Sequence, residues 1–314
     1  MHVAVYCPFL ASVLLGLTAP ALARRLPPAT ATRLLTGSAL VAAGSTLLAV
    51  AVLALTLVGR LPGVAGSAGG SAPASPVPAV VGSAAAIGGV LVAGRGSLVA
   101  LARARALLAA RALCRDLGGA GGQLIVTDDD IQPMAVPACG GRILASRAHL
   151  ATLPAGERRA LLLHESAHLA DHHHLYRLAA ELAGAVDPFQ HGVRQAVHYA
   201  TERWADEVAA AAVGDRAVVA RALARSGLRS AGRPAGARWE TVALSAGGGD
   251  VVRRVRALLA PAPSQRPALV LAATAVVACT LAVSLHAQED SERYSRPALS
   301  TAGPHQAGSA PLER

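Results

Sequence analysis

The stretch Leu161-Leu162-Leu163-His164-Glu165-Ser166-Ala167-His168 carries the reading of the whole chain, because it combines an apolar helical run with three side chains at metal-site spacing. Seven residues upstream, Pro154 is suited to open a helix. In a helix, residues four apart stand one turn above each other, so His164 and His168 can aim imidazole nitrogens at one ion. Glu165 lies about 100° round from His164 and can reach a water on that ion without ligating it. The chain's own His and Glu content produces this pattern by chance in about one such sequence in a hundred. A His-rich solvated helix is the plain alternative, given His172-His173-His174 just beyond. The Leu run weighs against it and favours a zinc site with one ion per chain.

A catalytic zinc needs a third protein ligand and an open position for water. His174 sits where the third histidine of an extended motif would fall. That geometry wants Gly at position 171, which is Asp, and a later Met-turn, whereas Met1 and Met134 both precede the motif. Glu202, in Glu202-Arg203-Trp204-Ala205-Asp206, is the better candidate, since a carboxylate from a second helix completes a His-His-Glu centre. Asp206, one turn on, can orient a ligand histidine. The competing view of this pair is two solvated acids on an ordinary amphipathic helix.

The composition sets the environment of this site. With 53% apolar and 15% charged residues, the 314-residue chain is unlike an average soluble protein. Four stretches are long enough to span the bilayer as helices, at about 3–23, 34–59, 77–101 and 267–287. Arg24, Arg25 and Arg33 follow the first; Arg95, Arg103, Arg105, Arg111 and Arg115 lie within or after the third; Arg253, Arg254, Arg256 and Arg266 precede the fourth. Basic residues gather on the cytoplasmic side, so the N-terminus is expected outside and the segment between the third and fourth spans inside. A secretory signal peptide ending at Ala21-Leu22-Ala23 is the rival view of the first span, but no basic residue precedes it.

The net charge of +10 is carried entirely by Arg, while aromatic residues make up 3% of the chain, which argues against nucleic-acid binding. The four cysteines form no Cys-x-x-Cys pair and imply no disulfide framework. Residues 60–78 and 229–250 are rich in Gly, Ser, Ala or Pro and serve as linkers. The organisation that follows is a membrane region at 1–115, a metallopeptidase domain at 116–228, a linker with a basic juxtamembrane helix at 229–266, the fourth span at 267–287 and a disordered tail at 288–314.

Within 116–228 the pattern is mainly helical α+β. Leu124-Ile125-Val126 predicts a strand, and 134–139 with 142–146 a hairpin around Gly140-Gly141. Helices are expected through the His motif, up to near Pro188, and over 190–213 and 215–228. Asp128-Asp129-Asp130 is expected as a solvated turn, lacking the rest of a calcium loop.

The hairpin ending Gly140-Gly141-Arg142-Ile143-Leu144, the run 157–168 and the Glu202-x-x-x-Asp206 pattern together resemble the BlaR/MecR-type membrane metallopeptidases, relatives of the HtpX-like and prenyl-protein endopeptidases. The resemblance covers about 124–213 well and the four-span layout loosely. It implies a zincin-like domain at the bacterial cell membrane, zinc on His164, His168 and Glu202, Glu165 as acid/base and Asp206 in support. It further implies a protein or peptide substrate whose strand pairs with the hairpin edge. A regulatory protease acting on a cytoplasmic repressor is the first expectation. Membrane-protein quality control of the HtpX-like kind is the second. A catalytically silent membrane scaffold is the third, though such a protein has no use for Glu165. Antibiotic-sensing members carry an external penicillin-binding domain after the last span; only a short tail follows Ala287, so β-lactam sensing is not expected. His198 and Tyr199 are the candidates for an oxyanion donor.

Overall fold

The computed structural model describes residues 6–58, 78–116, 124–129, 131–138, 140–231 and 248–264, with scattered positions from 267 to 282. Most of the expected fourth span, the tail, both linkers for most of their length, and Asp130 and Cys139 lie outside the described residues.

Three helices are long and apolar enough to cross a membrane: α1 (Cys7–Arg25), α2 (Pro28–Val58) and α3 (Ala79–Asp116). Between α1 and α2 the chain reverses in two residues. Pro28, the first residue of α2, presets its backbone angle for the helix, and Leu26 is fully buried at the bend. Arg24 and Arg25 close α1 where its carbonyls present negative charge. α3 runs well past the expected end of its span because Ala, Leu and Arg, all good helix formers, fill 100–113. It continues out of the apolar zone and packs Ala110 and Cys114 beneath a small sheet.

That sheet has β3 (Arg142–Ser146) in the centre, flanked by β1 (Leu124–Thr127) in parallel and β2 (Met134–Val136) antiparallel. The expected hairpin forms, with both Gly140 (φ 83°) and Gly141 (φ 82°) in the left-handed region that favours glycine. β2 stops at Val136, short of the expected 139, because Pro137 has no N–H for a ladder. Of the acidic run, Asp128 pairs with Arg147 at the surface, 2.9 Å apart.

After the short helix α4 (Arg147–Ala151), capped by Ser146, come α5 (Ala155–Ala170), α6 (His173–Val186), a 3-10 turn at Pro188–Gln190, α7 (His191–Val213), α8 (Arg216–Ala231) and α9 (Gly248–Leu259). His172 adopts a left-handed φ of 51° and swings the chain from α5 into α6. α6 and α7 form a hairpin that lies against the apolar helices and shares their core: Ala180, Ala183, Val193, Ala196, Val197 and Ala200 pack with Ala19, Ala23, Leu26, Ala31, Leu35, Ala39 and Ala43. The contact is close, since a Cβ on Gly16 would overlap the Phe189 backbone in the 3-10 turn and one on Gly192 would overlap the Gly16 backbone in α1. Asp187, fully buried at the hairpin tip, accepts hydrogen bonds from Ser12 of α1 (2.5 Å), Thr46 of α2 (3.0 Å) and Gln190 (3.1 Å). A second core joins α5, α7, α8 and α9 through Ala160, Ala209, Val219, Ala222 and Leu258.

Candidate metal centre

α5 crosses α7 so that the buried faces of both meet, and His164, His168 and Glu202 converge there. One ligand atom from each lies within 4.8 Å of the others. The two Nε2 atoms are 3.2 Å apart, and the Glu202 oxygens approach them at 3.5 Å each. A tetrahedral ion with bonds of about 2.0–2.1 Å has donor-to-donor edges of about 3.3–3.4 Å. The spacing therefore fits a small metal ion bound by two imidazoles and one carboxylate.

Each donor has its own orienting partner. Asp206 Oδ1 is 3.0 Å from His164 Nδ1, which leaves Nε2 for the ion. His173 Nδ1 is 2.8 Å from His168 Nδ1, and the His173 ring packs on Trp204 with centroids 4.7 Å apart. Arg177, one turn beyond His173, bonds Glu202 Oε1 and is itself steadied by Thr201 at 2.9 Å. Such outer partners fix tautomer and ring orientation in metal sites.

Arg254 of α9 completes the cluster. Its Nε and Nη2 hold Asp206 in a two-point ion pair (2.8 and 2.7 Å), Nη1 is 2.5 Å from Glu202 Oε2, and Nη2 is 3.4 Å from His164 Nε2. Burial alone would raise the Glu202 carboxyl, but the Arg254 and Arg177 charges hold it well below its usual range. Asp206 is likewise lowered: burial opposes ionisation and the Arg254 charge overcomes it. Burial works against charging His164, yet hydrogen bonds to Asp206 and Glu202 push it up to about 9. His168, lacking such a carboxylate contact on its outer side, is held well below the ordinary imidazole value, chiefly by burial. Glu165 is raised to about 7, first by burial, with a backbone hydrogen bond from Ala135 of β2 acting the other way.

The structure thus brings together His164, Glu165, His168, Glu202 and Asp206. His174 does not join them; its ring stacks edge-on with His172, 6.0 Å between centroids. Tyr199 packs against the core shared by α1, α2, α6 and α7 and beneath the guanidinium groups of Arg203 and Arg253. Arg177, His173 and Arg254 join the site without having been assigned to it from the sequence. A signal existed for Arg254: Val251, Val255 and Leu258 make the apolar stripe of α9, and an arginine falls on it. Arg177 likewise sits on the buried stripe of α6 with Ala180 and Gly184. His173 had no comparable signal, because its position depends on the left-handed turn at His172.

No family model, curated protein or solved structure matches this chain.

Proposed function

We propose that this chain is a membrane-bound zinc metallopeptidase, its ion held by His164, His168 and Glu202 and its proton transfers carried by Glu165. The observation that supports it most is the donor set: two imidazoles and a carboxylate at tetrahedral spacing, with a buried glutamate beside the first histidine. Zinc is the divalent ion that suits this mixture of nitrogen and oxygen donors, with water as the fourth ligand. When bound, it supplies polarisation of a scissile carbonyl and acidification of a water.

The chain's own groups do the rest. Glu165, raised to about 7, is poised to accept a proton from the attacking water near neutral pH and return it to the leaving amine. The Ala135 N–H steers that carboxylate and lies on edge strand β2, whose outer backbone groups can pair with an extended peptide. Asp206, His173 and Arg177 keep the three ligands facing one point. The resemblance to BlaR/MecR-type proteins favours a regulatory substrate. The core that α6 and α7 share with α1 and α2 favours a membrane-anchored one.

Glu165→Gln is the direct test of the peptidase reading: the variant should keep its zinc and lose cleavage of a co-expressed substrate. Cleavage that survives in the variant removes Glu165, and with it this site, from the reaction.

A further inference from the structure

The hairpin α6–α7 reaches into the zone occupied by the membrane-crossing helices. Its tip, Asp187, bonds Ser12 in α1, and Gly16 of α1 abuts Phe189 and Gly192. Ser12 is 13 residues from the end of α1 at Arg25, or about 20 Å along the helix. Returning from the tip, Glu202 is 12 residues beyond Gln190, about 18 Å. The metal centre therefore stands level with the α1–α2 bend, where Arg203 donates to the Ala23 carbonyl and Arg33 covers Trp204. The sheet stands farther out. From Gly96, which faces Val186 near the tip, α3 climbs 14 to 18 residues, about 21–27 Å, to Ala110 and Cys114, where it packs on the sheet.

At the depth of the tip, α7 presents an exposed polar face. His191, Arg194 and Gln195 are exposed and His198 is half-buried. His191, Gln195 and His198 are spaced four and three residues apart and continue, four residues on, to Glu202. Ionisable groups at bilayer depth face protein partners or water rather than lipid. On this face Arg194 Nη2 lies 3.3 Å from His191 Nδ1 and Gln195 Nε2 lies 2.9 Å from His191 Nε2, and the apolar segments offer Arg194 no acid, since residues 7–58, 79–115 and 267–287 contain no Asp or Glu. The two acids nearest the tip of the hairpin are taken, Asp187 by hydroxyls and Glu181 by Arg103 at 2.5 Å.

We infer that the α6–α7 hairpin is inserted beside α1 and α2, that its His191–Gln195–His198 face lines a water-filled cleft descending from the metal centre, and that the site acts on the membrane-proximal segment of a membrane-anchored polypeptide. The substrate class rests on the peptidase reading; the placement of the hairpin does not. An extended chain leaving the bilayer would climb the cleft and meet β2 within a few residues of its anchor.

The test uses the full chain in lipid nanodiscs, with Cys7, Cys114, Cys139 and Cys279 changed to Ser and single cysteines introduced as Gln195→Cys, Phe189→Cys or Leu14→Cys. A charged thiol reagent needs a hydrated thiolate. Gln195→Cys should react at least about 100-fold faster than Phe189→Cys and Leu14→Cys, both half or more exposed yet set among apolar helices. Gln195→Cys as slow as Leu14→Cys overturns the cleft, and Phe189→Cys as fast as Gln195→Cys overturns the insertion. In the second arm, zinc-loaded protein with native cysteines receives a reporter peptide joined to a single-span anchor through a spacer of about four or about thirty residues. Cleavage with the short spacer within about threefold of the long one supports the membrane-proximal class, because the short spacer cannot reach a distant site. Cleavage of the long-spacer or unanchored peptide alone overturns that class. If no reporter is cut, the peptidase reading fails together with the substrate class, while the thiol pattern still decides the insertion.

Discussion

The Nδ1 atoms of His173 and His168 lie 2.8 Å apart, and this contact sets which face of His168 is offered to a metal. One of the two nitrogens must carry the proton between them. A His168 that ligates through Nε2 carries its proton on Nδ1 and donates it to His173. His173 is then an acceptor at Nδ1 and bears its own proton at Nε2, an atom with no hydrogen-bond partner among the described residues that is buried beside the Trp204 ring. Burial, first, and the Arg177 charge hold His173 down at about 3, so it stays neutral and able to accept.

Removing that acceptor should loosen the ion. His173→Ala is expected to weaken zinc binding by about 10- to 100-fold, the usual range for an outer-partner loss. His173→Asn, which keeps an acceptor oxygen, should recover part of it. Titration against a chromophoric chelator measures both, and equal affinities for the wild type and the Ala variant would remove His173 from the centre.

Arg254 is expected to matter most when metal is absent. It is then the principal cation compensating Asp206 and shares Glu202 with Arg177. Arg254→Ala leaves buried carboxylate charge without its partner, a change that typically costs about 3–5 kcal/mol. The thermal midpoint in chelator should fall clearly below wild type, and saturating zinc should narrow the gap. An unchanged midpoint in chelator would mean that α9 does not seat on the site.

Zinc affinity should fall as pH is lowered. In the metal-free protein His164 is raised to about 9, so over neutral pH a proton must leave it before Nε2 can ligate. Displacing one proton per ion makes the apparent affinity drop about tenfold per unit of acidification below that value. Above about pH 9 the dependence should flatten as far as His164 is concerned. A flat profile between pH 7 and 9 would contradict the protonated state.

At the other end of the hairpin, Asp187→Ala strips the acceptor from Ser12 and Thr46 in the apolar helices α1 and α2. A buried donor left without its acceptor costs about 1–3 kcal/mol. The variant should unfold at lower temperature than the wild type in the same detergent, while Ser12→Ala, which removes one bond of the set, should have a smaller effect.

The helical spacing of His164, Glu165 and His168 made one corner of the site legible in the sequence, because a motif confined to one helix needs no tertiary information. Glu202 and Asp206 were legible for a related reason: their four-residue spacing places a ligand and its neighbour on one face of a second helix. The three apolar helices followed from length and composition, and the hairpin β2–β3 from Gly140-Gly141. What the sequence concealed is where the helices go after the motif. Ala-rich α6 and α7 resemble ordinary amphipathic helices, and the small residues that let them press against α1 and α2 become meaningful only once Gly16 and Gly192 are seen to touch across the interface. Arg254 is separated from Asp206 by 48 residues that include a Gly-rich linker, so nothing local joins them. Its place in a topology argument, as one of several basic residues before a span, hid its position on the buried stripe of α9.

Zinc content of purified variants tests the ligand set most directly. With metal analysis on the full chain in detergent, the wild type and His174→Ala should each carry one zinc per chain, and His164→Ala, His168→Ala and Glu202→Ala should carry almost none. Full occupancy in Glu202→Ala, or its loss in His174→Ala, would contradict the His-His-Glu centre.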